Sequence, residues 1–371
     1  MKSKKDLSRV FKIRAAEKGR KHPLLARIIV KGNQAIDRKR FKGNFDCKIN
    51  NSIAKFAPKC GMEITEGLKE DVWKAVILNL IDPDEYFLFH FYDLTAEERH
   101  QFVGNREKEQ ICGLINSNGA WEIFTDKWRT YQKFEPYYKR EAIKYSSSDD
   151  AEEFKEFYNR HTKVIIKGEK ASRGRGISFA DHSEAASADE VLKKMNQELD
   201  LWGGYIVEEY IRQADELAQF HPESVNTVRI ATFRDDNEVK ILFAFLRCGR
   251  NGTIVDNGGS GGLFTSIDID TGVCNTDTAD KDGNRYQKHP DSQIEINGFH
   301  VPEWQQALDL SRTLAGVVPE QRYVGWDLAY TQTGWVMIEG NSWAQFGSTQ
   351  VSYQKGIRPL INNTFYKYIG V

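Results

Sequence analysis

The chain has 371 residues, is 40% hydrophobic and 12% aromatic, and carries 52 Lys plus Arg against 53 Asp plus Glu, which excludes a disordered polymer and fits one large or two to three smaller domains. No apolar run approaches the roughly 20 residues of a membrane span; the basic start lacks the apolar core of a secretory signal; and Cys47, Cys60, Cys112, Cys248 and Cys274 form no CxxC pair, so a cytoplasmic protein without a zinc or disulfide framework is expected. The net charge of -1 conceals a division: residues 1–44 hold 15 Lys or Arg against Asp6, Glu17 and Asp37, a surplus of +12 that leaves -13 for the rest.

In chain order, residues 1–75 are expected to form a basic helical region, with apolar residues at helical spacing in DLSRVFKIRAAEKG, a broken second pattern in HPLLARIIVKGNQAIDRKRF and a third in ITEGLKEDVWKAVILNLI. Asp82-Pro83-Asp84 interrupts the helical spacing, and Thr95-Ala96-Glu97-Glu98 has the form of a capping box that starts another helix. Beyond residue 160 short β-rich runs alternate with glycine. HTKVIIKGEKASRGRGISF predicts strand, basic glycine loop and strand; ADEVLKKMNQELDLW predicts a helix; GGYIVEEYI predicts another strand. VNTVRIATF and EVKILFAFLRC, joined through Asp235-Asp236-Asn237, predict antiparallel neighbours. The glycine-rich loop DNGGSGGLF, the helix PEWQQALDLSRTLAGVV and YVGWDLAYTQTGWVMIEGNSW follow. Strand pairs around a glycine loop suggest a nucleotide held between sheets.

The last hairpin carries the most chemistry. A turn centred on Thr333, with Gly334 free to take a positive φ, places Asp327 opposite Glu339, and alternation brings Asn341 to the same face. Opposed carboxylates repel unless a cation lies between them, and hard oxygen donors completed by phosphates suit Mg²⁺. The competing reading is a solvated polar face, which the apolar neighbours Trp326, Leu328, Trp335, Met337 and Ile338 oppose. Lys167 ends an apolar strand before GEKASRGRG, where amides from Gly174 to Gly176 can approach phosphate oxygens. Adjacent Glu208 and Glu209 must point opposite ways, one toward a nucleotide or both to a solvated strand end. Asn226, Arg229 and Arg247 lie in apolar strands, and a buried arginine needs a carboxylate or a phosphate; phosphate is the favoured partner.

These pieces in this order resemble the sugar-transfer-associated ATP-grasp family. The resemblance rests on Asp126-Lys127, KVIIKGEKASRGRGI, YIVEEYI, VNTVRIATF, IVDNGGSGGLFTSID, the segment from His289 and Pro290 through Gly298 to Val301–Trp304, VGWDLAY and IEGN, spanning about residues 120–345. It implies an α+β ATP-grasp fold, two lobes gripping ATP, behind the helical N-terminal region. Residues 76–160 would be a preceding lobe that contributes Lys127, 161–210 a lid lobe and 211–371 a catalytic lobe. By the same resemblance Lys127 and Lys167 contact phosphates, residues 168–176 with Gly174 and Gly176 form the lid, Glu208 accepts from the adenine amino group, and the Glu209–Ile211 backbone is the hinge. Asp327, Glu339 and Asn341 match magnesium ligands. Two departures stand out: no ribose-binding acid follows the hinge directly, leaving Asp215 or Glu216, and Gly325 stands where many relatives have an arginine, leaving Arg229 or Arg247 to supply that charge.

The resemblance implies ATP with Mg²⁺ as cofactors and a carboxylate–amine ligation through an acylphosphate, on a small-molecule or glycan substrate. A phosphotransferase and a non-catalytic nucleotide-binding protein are the alternatives. His289 and the loop 257–262 lie where an acceptor could be gripped, or are structural. Nucleic acid is not expected as a partner, because aromatics do not recur as stacking pairs. The basic front is either a solvated face or a peripheral contact surface for an anionic glycan, sugar nucleotide or lipid headgroup.

Overall fold

The computed structural model describes residues 3–116, 119–171, 175–181, 187–256 and 258–369. These fall into two compact units, one drawn from residues 1–117 and 343–371, the other from 118–342.

The first unit is helical. Ser3 and Asp6 close a capping box at the start of α1 (Lys4–Lys21), and a single residue, His22, separates it from α2 (Pro23–Arg40). Pro23 cannot donate an intrahelical bond, so it starts a new helix, and the pattern that looked broken in sequence is 18 continuous residues. α3 (Asn44–Phe56) and α4 (Glu66–Leu78) follow, the latter capped by Thr65 Oγ1 on Leu68 N at 3.1 Å. At Gly19 α1 meets α4 so closely that a Cβ would stand 2.7 Å from Leu78 Cδ2. Thr95 and Glu98 form the expected capping box of helix Ala96–Gln101. The C-terminal helices Gly347–Tyr353 and Arg358–Ile369 return to this unit, where buried Arg358 grips both oxygens of Glu107 and donates to the carbonyls of His100 and Phe102. Among the described residues no helix is long and apolar enough to cross a membrane.

The second unit is built on two antiparallel sheets. The smaller, ordered β1-β4-β2-β3, contains β1 (Ala142–Tyr145), β2 (Lys163–Gly168), β3 (Ile177–Asp181) and β4 (Tyr205–Glu209). Alternation sorts its faces: Val164, Ile166, Tyr205 and Val207 join a core with Phe154, Tyr158 and Leu192 from two covering helices. Lys167 and Glu208 are left on the opposite face.

The larger sheet, ordered β11-β10-β5-β6-β7-β8-β9, contains β5 (Thr227–Arg234), β6 (Val239–Cys248), β7 (Leu263–Ile267), β8 (Thr278–Ala279), β9 (Arg285–Tyr286), β10 (Tyr323–Thr331) and β11 (Gly334–Asn341). Asp235 Oδ1 accepts from Asn237 N and Glu238 N at 2.8 and 2.9 Å, which makes the expected turn between β5 and β6. Val228, Ile230, Leu246 and Leu328 pack with Leu308 and Leu314 of helix Trp304–Val317. The alternate positions, Thr227, Arg229, Arg247 and Asp327, project from the other face.

Candidate active site

The β10–β11 hairpin reaches the expected pairing by an unexpected route. Its turn holds Thr331 opposite Gly334 (φ +95°), a register that alone would set Asp327 against Ile338. A bulge between Leu328 and Asp327 inserts Ile338 as an unpaired residue, and Asp327 then faces Glu339. Asn341 Nδ2 donates to Glu339 Oε1 at 3.0 Å, so the pair lies on one face as alternation requires.

Asp327 is itself opposite Arg229 of β5. Arg229 Nε and Nη2 grip the two carboxylate oxygens, the second at 2.6 Å, and Arg247 Nη2 adds a bond of 2.8 Å to Oδ2. The partner these arginines have in the protein itself is therefore a carboxylate. Burial pushes the Asp327 carboxyl up, but Arg229 and Arg247 outweigh it and hold it at about 2. Arg247 also donates to Thr227 Oγ1 at 2.8 Å, and Thr227 N reaches Asp256 Oδ2 at 2.9 Å. Burial raises the pKa of Asp256 despite Arg247 and Thr227. Glu339 has its side chain 54% exposed; the surrounding protein and then the Asp327 charge push its pKa upward.

The smaller sheet holds a second buried carboxylate. Glu208 takes Arg140 Nε and Nη2 on Oε2 at 2.8 and 2.6 Å and Lys167 Nζ on Oε1 at 2.7 Å. Burial would raise its pKa, yet Arg140 and Lys167 lower it to about 2. Arg140 Nη1 also donates to Tyr138 O and to Met337 O of β11, at 3.1 and 2.8 Å. Both oxygens of the proposed adenine acceptor are thus engaged by cations.

Lys127 donates to three carbonyls, Gly168, Glu169 and Ala171, at 3.0, 3.2 and 2.6 Å, so all its protons are spent on the loop after β2. Burial lowers its pKa, and Glu339, Lys167 and Glu208 are all near enough to act on its charge. Lys127, Lys167, Glu208 and Glu339 are therefore brought together. Gly176 takes φ +61° and lies against Trp202, where a Cβ would stand 3.1 Å from the ring; Gly174 lies outside the described residues. At the proposed hinge, Glu209 N donates to Glu141 O and Tyr210 N to Lys163 O, at 2.9 and 3.2 Å, so the Ile211 amide is the hinge donor outside these pairs.

Other sequence candidates lie elsewhere. Asp215 and Glu216 are exposed in a short helix whose preceding Ala214 N donates to Tyr330 O at 3.0 Å, toward the turn end of β10. His289 is fully buried, with Nε2 2.8 Å from Gly249 O and Nδ1 accepting from Asp291 N and Ser292 N. Asn226 organises backbone, donating to Leu217 O and His221 O at 2.9 and 3.0 Å. Sequence reasoning missed Arg140 and Asp256. Arg140 sits in an ordinary run of charges before β1, which gives no signal; Asp256 opens the glycine loop, where an acid before glycines was visible but had no assigned partner.

Among the described residues no group of three or more His, Cys, Asp or Glu side chains could hold a metal. A cation at this hairpin would take Glu339, Asn341 Oδ1 and, once its arginines have another anion, Asp327, with phosphate and water oxygens completing the shell. The oxygen donors fit Mg²⁺ on those terms, and three carboxyls, Asp327, Glu339 and Asp256, surround the two guanidiniums.

No curated protein sequence matches the chain. Similar solved structures include D-alanyl-alanine synthetase A from Vibrio cholerae O1 biovar eltor, 10% identical over 69% of this chain and 66% of that one, with a TM-score of 0.42. D-alanine–D-alanine ligase from Bacillus anthracis complexed with ATP is 13% identical over 69% and 70%, TM-score 0.42. Biotin carboxylase from Campylobacter jejuni is 13% identical over 71% and 52%, TM-score 0.44. Likeness at this level says nothing of function. Residues 108–365, which include Lys127, both sheets and the hairpin with its bulge, match the sugar-transfer associated ATP-grasp family. The α+β architecture with a helical N-terminal region agrees with that match, and the chain belongs to the sugar-transfer associated ATP-grasp family.

Proposed function

We propose that this protein is an ATP-dependent carboxylate–amine ligase that modifies a cell-surface glycan or its precursor. The observation that carries the reading is that Lys127, which opens helix Lys127–Tyr138, lies near both Lys167 of β2 and Glu339 of β11, with Asn341 bonded to that carboxylate, in a chain of the ATP-grasp family.

In this reading a substrate carboxylate oxygen attacks the γ-phosphorus of ATP, the bond to ADP breaks, and an amine then displaces phosphate from the acylphosphate and loses a proton. Such a reaction needs positioned charge more than covalent help. Lys167 offers a cation at the mouth of β2. Lys127 acts through the loop, holding the carbonyls of 168, 169 and 171 and so fixing the backbone that follows β2. Arg229 and Arg247 are the cations free to move from Asp327 to a phosphoryl group, which would expose Asp327 in the same act. Glu339, Asn341 and Asp327 would hold Mg²⁺, which when bound neutralises phosphate charge.

The test is ATP consumption with uronic acids and amino acids, singly and paired, followed by ADP assay and mass spectrometry. ADP and free phosphate that require both substrates, with an amide product, are expected. A stable phosphoester on one substrate would instead make the protein a phosphotransferase.

A further inference from the structure

The basic front has no part in the ligase reading, and its two helices bury one face each. Val10, Ile13, Ala16 and Gly19 of α1 and Ala26 and Asp37 of α2 are buried, and both helices pack toward α4. The opposite face of α1 turns Leu7 and Phe11 outward, 59% and 71% exposed, and the repeat of about 3.6 residues sets Lys4, Arg14 and Lys18 in the same stripe. On α2 Leu24 and Ile28 are 80% and 68% exposed and share a stripe with Lys31, Ala35 and Lys39. Of the eleven large hydrophobic side chains exposed among the described residues, six lie between Leu7 and Phe41. Apolar exposure is thus concentrated where the +12 charge is.

A partner must account for both features. Nucleic acid would take the charge and leave Phe11 and Leu24 in water. A second copy docked by the same face would bring like charges together. An anionic bilayer receives Lys and Arg among its headgroups and Leu, Ile and Phe just beneath them. We propose that the α1–α2 hairpin is a peripheral anchor that lays this protein on anionic phospholipid. The inference is independent of the ligase reading, since it concerns where the protein works and not what it joins.

Sedimentation of the full chain with vesicles tests it. Binding is expected to phosphatidylcholine vesicles containing about one third phosphatidylserine, at least ~tenfold stronger than to phosphatidylcholine alone, and weakened by salt. The Phe11→Ser/Ile28→Ser variant and the Lys18→Glu/Lys31→Glu variant should each lose at least ~tenfold, with helical circular dichroism unchanged. No binding, equal binding to neutral vesicles, or full binding by either variant would overturn the proposal. So would a lipid-free dimer in analytical ultracentrifugation that the Phe11→Ser/Ile28→Ser change abolishes, since a second copy would then be the occupant.

Discussion

Glu208 and Asp327 are chemically alike and differently employed. Each is a buried carboxylate gripped by two cations, one on the face of the smaller sheet, one on the larger. Around Glu208 part of the cationic capacity goes to backbone: Arg140 also ties Tyr138 O and Met337 O, which joins β4 to β11. Among the described residues the arginines around Asp327 bind side chains, and beside them stands Glu339, half open to solvent, with Asn341. We infer that the first knot serves architecture and that the second exchanges its partners, because carboxylates there outnumber guanidiniums.

Substitution should separate the two. Asp327→Asn leaves two buried guanidiniums short of an anion and is expected to cost about 3–5 kcal/mol of stability along with all turnover, read by urea unfolding and ADP release. Glu339→Gln should cut turnover at least ~100-fold while moving the unfolding midpoint far less than Asp327→Asn does, because that half-open side chain meets Arg229 only at 4.0 Å. Glu208→Gln should do the reverse: a stability loss of about 2–3 kcal/mol, with turnover retained in the fraction that stays folded. If Glu208→Gln abolished turnover at native stability, the adenine role implied by the family resemblance would be right and the architectural one wrong. Lys127→Met should raise the KM for ATP about tenfold and speed amide exchange at residues 169–171, with the rest of the protein unaffected.

Alternation and strand pairing made much of this legible. The capping box at Thr95, the turn at Asp235 and the shared face of Glu339 and Asn341 follow from local chemistry, and each is found. The Asp327–Glu339 pairing was legible only in outcome. Nothing in GWVMIEGN announces that Ile338 is the bulged residue, because a bulge depends on how neighbouring strands twist. The return of the C-terminal helices was hidden altogether: Arg358 finds Glu107 across 251 positions and Gln350 finds Val103 across 247, and no periodicity encodes such distances. Cation partners were hard for the same reason, since Arg229 looks identical in sequence whether a carboxylate or a phosphate awaits it.

The smallest effects concern acid and alkali, and they distinguish carboxylates gripped by side-chain cations from one held by backbone amides. Asp327 and Glu208 are held at about 2, whereas 3.8 and 4.5 are their ordinary values. Between those limits the unfolded chain binds more protons than the folded one, so both contribute stability above about pH 4.5 that is lost as pH falls toward 2. Glu85 in the helical unit is the opposite case. Burial pushes its carboxyl up to about 8, against the backbone amides of Asn105 and Asp82 that it accepts. The folded state then keeps a proton that the unfolded chain gives up near 4.5, so its contribution is complete below that pH and is lost as pH rises through 8. Urea unfolding across pH should therefore show two limbs: Glu208→Gln makes the acid limb shallower, leaving the share of Asp327, and spares the alkaline one, whereas Glu85→Gln flattens the alkaline limb and spares the acid one. A Glu208→Gln variant that left the acid limb as steep as before would show that Arg140 and Lys167 do not hold that carboxyl low, and the contrast between carboxylates gripped by cations and a buried acid held by backbone amides would fail.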